Sequence, residues 1–167
     1  MDLIGFLTSL ATDPVLYSIV FFIYTVLAAV ILPIPVEIGL FNFHIHPALL
    51  VGILALGKGA GSLIVFEIST KARHKMKKIS VSNSFIKKLV EYSEWFVKNY
   101  GYYGLLLVLS TPLMIDSISL YLFSLLNPEE KGAGMEREWF VGINIIAGAI
   151  RGIVTLAVFY YIGYKLV

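Results

Sequence analysis

Four ionisable residues stand inside otherwise apolar sequence: Glu37, Lys58, Asp116 and Arg151. Glu37 closes the run Leu32-Pro33-Ile34-Pro35-Val36-Glu37, and Asp116 follows Pro112 by four residues. Lys58 lies about 15 Å into its apolar stretch and Arg151 about 18 Å past Trp139, at 1.5 Å of rise per helical residue. In a hydrocarbon layer about 30 Å thick, both fall near the middle. An uncompensated charge there costs about 2.5–3.5 kcal/mol even on the lenient insertion scale. Such groups need partners or a polar cavity, and two acids with two bases can supply both. The expectation is a pseudosymmetric cluster. In it Glu37 and Asp116 are proton-sensitive transport carboxylates, and Lys58 and Arg151 are headgroup or charge-pair partners. The competing reading of the same residues is two structural ion pairs.

The elements that must hold these groups follow from composition. Of the 167 residues, 58% are hydrophobic and 14% charged, against about 25% charged in an ordinary globular domain. Mean hydropathy is +0.84. A soluble domain of this size has too little interior to hide that much apolar surface. The composition therefore excludes soluble enzymes, disordered tails and nucleic-acid binders, and predicts an all-α integral membrane protein forming a single membrane domain, 1–167. The first residues lack the basic, small-residue pattern of a cleaved signal. With no cysteine, disulfides and thiol chemistry are excluded.

Four stretches approach membrane-spanning length: 15–32, 48–70, 102–126 and 139–167. Asp13-Pro14 caps the first. The third is broken near Thr111-Pro112. Residues 71–101 hold Lys71, Arg73, Lys75, Lys77, Lys78, Lys87, Lys88 and Lys98, more than half of the 13 basic residues. The positive-inside rule makes this loop cytoplasmic. Its second half, from Ser82 and Ser84 to Tyr100, reads as an amphipathic helix lying in the interface, with Phe85, Leu89, Tyr92 and Phe96 on one face. The 71–88 segment could also bind anionic lipid headgroups. Residues 127–138 read as an ordinary loop.

The two halves resemble each other. A shift of 79 residues lays Pro33-x-x-x-Glu37 on Pro112-x-x-x-Asp116. A shift of 93 lays Lys58-Gly59 on Arg151-Gly152, and Leu63, Val65 and Phe66 on Leu156, Val158 and Phe159. Each unit (about 15–70 and about 102–167) is thus a proline-broken apolar segment carrying an acid, then a helix carrying a base. Pro33, Pro35 and Pro112 are the hairpin-breaking residues. If each broken segment re-enters and leaves on its own side, the units are inverted copies on the plan of many secondary transporters. If each spans fully, the chain is a four-span bundle of parallel units. The acid four residues after each proline favours re-entrance. Gly57-x-x-x-Gly61, with Gly59 between, and Gly148-x-x-x-Gly152 read as helix-packing faces.

These features resemble the DedA/VTT superfamily of membrane proteins and the related small multidrug export proteins. Leu32–Glu37 resembles the family's proline-x-acid re-entrant motif, with Glu37 as its membrane carboxylate. Gly57-x-x-x-Gly61 followed by Phe66-Glu67-Ile68 is similar to its glycine-rich stretch. Tyr100-Gly101-x-x-Gly104 through Pro112 resembles the second hairpin, and Trp139-Phe140 through Ile162-Gly163-Tyr164 the closing helix. Where the family carries arginines around the second hairpin's proline, this chain has Leu109 and Ile115. Arg151 is the residue placed to supply a positive charge instead. The resemblance implies paired re-entrant hairpins and movement of lipid between leaflets, as a polyprenyl-phosphate flippase or a phospholipid scramblase.

Other signals are sparse. His44-x-His46 has no third ligand nearby, so no metal site is expected, and no cofactor motif is present. The absence of a Ser/His/Asp order, a P-loop and a Gly-x-Ser-x-Gly elbow argues against an enzyme. Trp95, Trp139 and most of the ten tyrosines read as interfacial anchors. Glu67 is expected to pair at the interface. The leading functional expectation is a lipid transporter in the cell membrane, possessing membrane lipids as its partners; no feature specifies a homo-oligomer. The alternatives are an exporter of small amphipathic or cationic compounds and a non-transporting membrane scaffold.

Overall fold

The computed structural model describes residues 10, 12–31, 35–79, 95, 99–112, 116–125, 127 and 135–166. Among these, all regular structure is helical: α1 (Pro14–Val30), a 3-10 turn (Val36–Leu40), α2 (Pro47–Ile79), α3 (99–110), α4 (Asp116–Leu125) and α5 (Arg137–Leu166). Pro33, most of the amphipathic segment 82–100 and most of the 127–138 loop lie outside the described residues.

Helices α2 and α5 form the frame. Their portions Pro47–Ala72 and Arg137–Ile162, 26 residues each, are long and apolar enough to cross a membrane; at 1.5 Å per residue each is about 39 Å long. They pack antiparallel. Gly152 rests against Val51 and Leu54, and Gly148 against Ala55 and Lys58. Farther along, Gly59 meets Ile145, and the rings of Phe66 and Phe140 lie 5.2 Å apart. The outward faces are apolar: Leu56, Leu107, Ile118, Ile146, Ile153 and Tyr161 are all more than half exposed.

Two apolar hairpins fill the space beside this frame. Helix α1 starts where Asp13 Oδ1 accepts from the amides of Val15 and Leu16, both at 3.1 Å, with Pro14 as its first residue. Aspartate cap and proline start are both favoured there. It runs parallel to α2, Thr25 against Gly57 and Ala29 against Gly61. The chain then folds back along it. The Tyr24 hydroxyl donates to the Pro35 carbonyl at 3.1 Å, and the Tyr17 hydroxyl to the Gly39 carbonyl at 2.9 Å. The Phe21 ring lies where Gly39 would carry a Cβ, so no larger residue fits at that position. Tyr17 and Tyr24 are thus buried straps and not the interfacial anchors that tyrosine enrichment suggests.

The third apolar stretch is two helices. Helix α3 ends at Ser110, Pro112 occupies the turn, and α4 starts at Asp116. The outer ends meet beside the start of α5. Asn127 Nδ2 donates to the Met135 carbonyl at 2.8 Å and its Oδ1 accepts from the Met135 amide at 2.6 Å. The Tyr102 hydroxyl accepts from the Glu136 amide at 3.2 Å. Two boundaries also differ from the sequence reading. Helix α2 continues nine residues into the basic segment, to Ile79, because 71–79 contain no glycine or proline to stop it. Arg137, expected in a loop, opens α5.

Glycine substitutions separate packing from propensity. A Cβ on Gly61 would stand 2.5 Å from that of Ala29 and 3.1 Å from the Val26 carbonyl, whereas one on Gly52 meets nothing within 4 Å. Thermal unfolding in detergent should show Gly61→Val destabilised by about 1–3 kcal/mol. Gly52→Ala should be stabilised by about 0.4–1 kcal/mol.

Candidate functional site

The four buried charges meet between α2 and α5, where the return limb of the first hairpin comes level with the tip of the second. Arg151 is the hub. Its Nε donates to Glu37 Oε1 at 2.6 Å, its Nη2 pairs with the same oxygen, and its Nη1 donates to Asp116 Oδ1 at 2.8 Å. Lys58 Nζ reaches that Asp116 oxygen at 3.1 Å and the Leu109 carbonyl at 3.2 Å. The order Lys58–Asp116–Arg151–Glu37 alternates in sign and sums to zero. Lys58 and Arg151 are 0% and 1% exposed, and both acids 5%. The groups contact one another directly, so the expected polar cavity is occupied by the charges themselves.

Local structure explains each placement. Gly148 leaves space for the Lys58 stem, its absent Cβ lying 3.1 Å from Lys58 Cδ, and α2 can therefore approach α5 closely enough to bury both bases. The second hairpin presents the carboxyl end of α3 and the amino end of α4 to the array. A helix leaves its last carbonyls without partners and negatively polarised, which suits the Lys58 ammonium at Leu109. The start of a helix is positively polarised and suits a carboxylate, as at Asp116, the first residue of α4. Glu37 lies in the first turn of the 3-10 segment, with Pro35 directly before that turn.

The remaining expected residues are placed as follows. Gly57 and Gly61 face α1, and Gly59, Gly148 and Gly152 line the contact between α2 and α5. Pro112 lies in the turn at the tip of the second hairpin. Glu67 pairs with Arg137 at 3.2 Å, both about half exposed, at the end of the frame away from Pro47. His46 Nδ1 accepts from the Ala48 amide at 3.2 Å and so caps α2. No group of three metal-ligating side chains occurs among the described residues.

Sequence reasoning did not single out the Leu109 carbonyl or the two tyrosine straps. Nor did it note a set of buried polar side chains that includes Ser62, Ser69, Ser117, Ser124 and Asn144. For three of them the signal is helical spacing from the bases: Ser62 and Ser69 follow Lys58 by four and eleven residues, and Asn144 precedes Arg151 by seven.

The array's connectivity ranks its members. Removing Arg151 strands two buried carboxylates beside a single ammonium, whereas removing Lys58 leaves Asp116 its bond to Arg151. Arg151→Met should therefore lose about 3–5 kcal/mol, and Lys58→Met clearly less, in thermal unfolding of the detergent-solubilised protein. No protein-family model, no curated protein and no solved structure matches this chain.

Proposed function

We propose that this chain is a multi-pass membrane transporter that moves a lipid with an anionic headgroup, polyprenyl phosphate or phospholipid, between leaflets. One observation carries the reading: an electrically balanced array of two acids and two bases, wholly buried, at the level where two hairpins from opposite ends of the molecule meet. Hairpins of this kind, each returning to the end from which it came, are what an inverted pair of re-entrant segments requires. Helices α2 and α5 are then the spans, and the apolar outer surface faces lipid. With 71–88 on the cytoplasmic side, the Pro47 end of α2 faces away from the cytoplasm.

The chemistry follows from the shared partners. A headgroup phosphate presents to Arg151 and Lys58 the same acceptor oxygens that Glu37 and Asp116 present, so it can take a carboxylate's place on the guanidinium. The displaced carboxylate, left in an apolar setting without its cation, takes up a proton from water. Headgroup and proton are thereby coupled through Arg151. Both steps leave the buried net charge small, which the low-dielectric interior demands.

Proteoliposomes test the reading. Labelled polyprenyl phosphate and phospholipid are followed with and without an imposed pH gradient, for the native chain and Glu37→Gln. The native chain should move lipid, the variant at least roughly tenfold more slowly, a rise of about 1.4 kcal/mol in barrier height. Native and variant both matching empty liposomes, while folded, would overturn lipid transport and turn attention to cationic compounds.

A further inference from the structure

The charge array is not the only buried polar feature. Ser69 Oγ, Asn144 Oδ1 and Ser110 Oγ are buried without a hydrogen-bonding partner. Ser69 and Asn144 are both 0% exposed. Polar atoms at such depth nearly always find a partner, and where protein supplies none the partner is water.

Their positions form a series. Ser110 is next to Leu109, whose carbonyl holds Lys58. Asn144 lies two turns from Arg151 along α5, about 10 Å away, in the direction of Arg137. Ser69 lies eleven residues beyond Lys58, about 17 Å along α2, and two residues from the half-exposed Glu67. Residues near each of them in the chain, Leu109, Ile143 and Val65, belong to one packed core. On the other side of Arg151, Thr155 Oγ1 is in the same condition, but no series continues from it among the described residues.

We propose that Ser110, Asn144 and Ser69 line a file of water joining Asp116 to the end of the molecule marked by the Glu67–Arg137 pair. The file makes the array one-sided. Water, and the protons it carries, reaches the array from that end, while the first hairpin, strapped by Tyr17 and Tyr24, packs on its other side. The inference rests on reading α2 and α5 as membrane spans, and it deepens the transport reading by assigning the side of proton access.

A chain without cysteine makes the test direct. Ser69→Cys, Asn144→Cys and Ser110→Cys are each reconstituted, with Val65→Cys and Leu105→Cys as buried apolar controls. Silver ion, small enough to follow a water file, is added to one face, and remaining thiol is counted by maleimide labelling after denaturation. The three path positions should be lost roughly tenfold or more faster than the controls, and only with silver on the face carrying the Glu67–Arg137 end. Rates equal to the controls, or faster reaction from the other face, would overturn the path. Ser69→Cys and Ser110→Cys exchange one oxygen for sulfur, so they decide the matter even if Asn144→Cys fails to fold. Lipid movement with control-level silver rates would remove the path alone; silver reactivity without lipid movement would remove the transport reading alone.

Discussion

A guanidinium, an ammonium and two carboxylates in one apolar interior must neutralise one another, and the rest of the architecture is arranged around that requirement. Desolvating any of them alone costs several kcal/mol. Here Arg151 divides its donors between two acids, and Asp116 accepts from two bases at a single oxygen. Each contact thus depends on a group that also serves another contact. Such an arrangement holds four segments at a common level: the 3-10 turn, α2, the tip of the second hairpin, and α5. It also makes the array sensitive to any ligand able to substitute for one member.

Close backbone approach is what allows the charges to meet. Gly148 accommodates the Lys58 stem, Gly57 and Gly61 admit α1, and Gly39 yields its place to the Phe21 ring. The tyrosine straps complete the first hairpin by satisfying the Pro35 and Gly39 carbonyls, which the short 3-10 return segment would otherwise bury bare. The second hairpin uses Asn127 for the same purpose, closing a two-bond bracket on Met135. Helix termini do the remaining electrostatic work at the tip of the second hairpin. The polar backbone that a break in a helix exposes is thereby used to bind Lys58 and is not merely tolerated.

The gathering of the four charges was legible because each was an anomaly in apolar sequence, and apolar surroundings leave a charge few partners. Asp13-Pro14 announced the start of α1, and Pro112 the break in the third stretch. The order of pairing was not legible, since it depends on Arg151 reaching two elements 114 and 35 residues away. The buried tyrosines were missed because an amphipathic ring suits an interface and a buried carbonyl equally well. The end of α2 was set too early because basic residues signal water without stopping a helix. The alignment of the halves also has a limited reach. Lys58 and Arg151 share nearly complete burial and Gly59 and Gly152 are both buried, whereas Leu63 is exposed where Leu156 is buried, and Val158 is exposed where Val65 is buried. Neighbouring segments, which a pairwise shift does not represent, decide those faces.

The separation of Glu37 from Arg151 along the chain has a consequence during synthesis. At about 5–20 residues per second, the acid leaves the ribosome about 6–23 s before the base that neutralises it. Helix α1, 17 residues long and about 26 Å at full length, falls short of the hydrocarbon thickness of about 30 Å. Through that interval Glu37 lacks the guanidinium that holds it in the folded chain. Its docking is therefore a late event, completed only when α5 brings the guanidinium alongside.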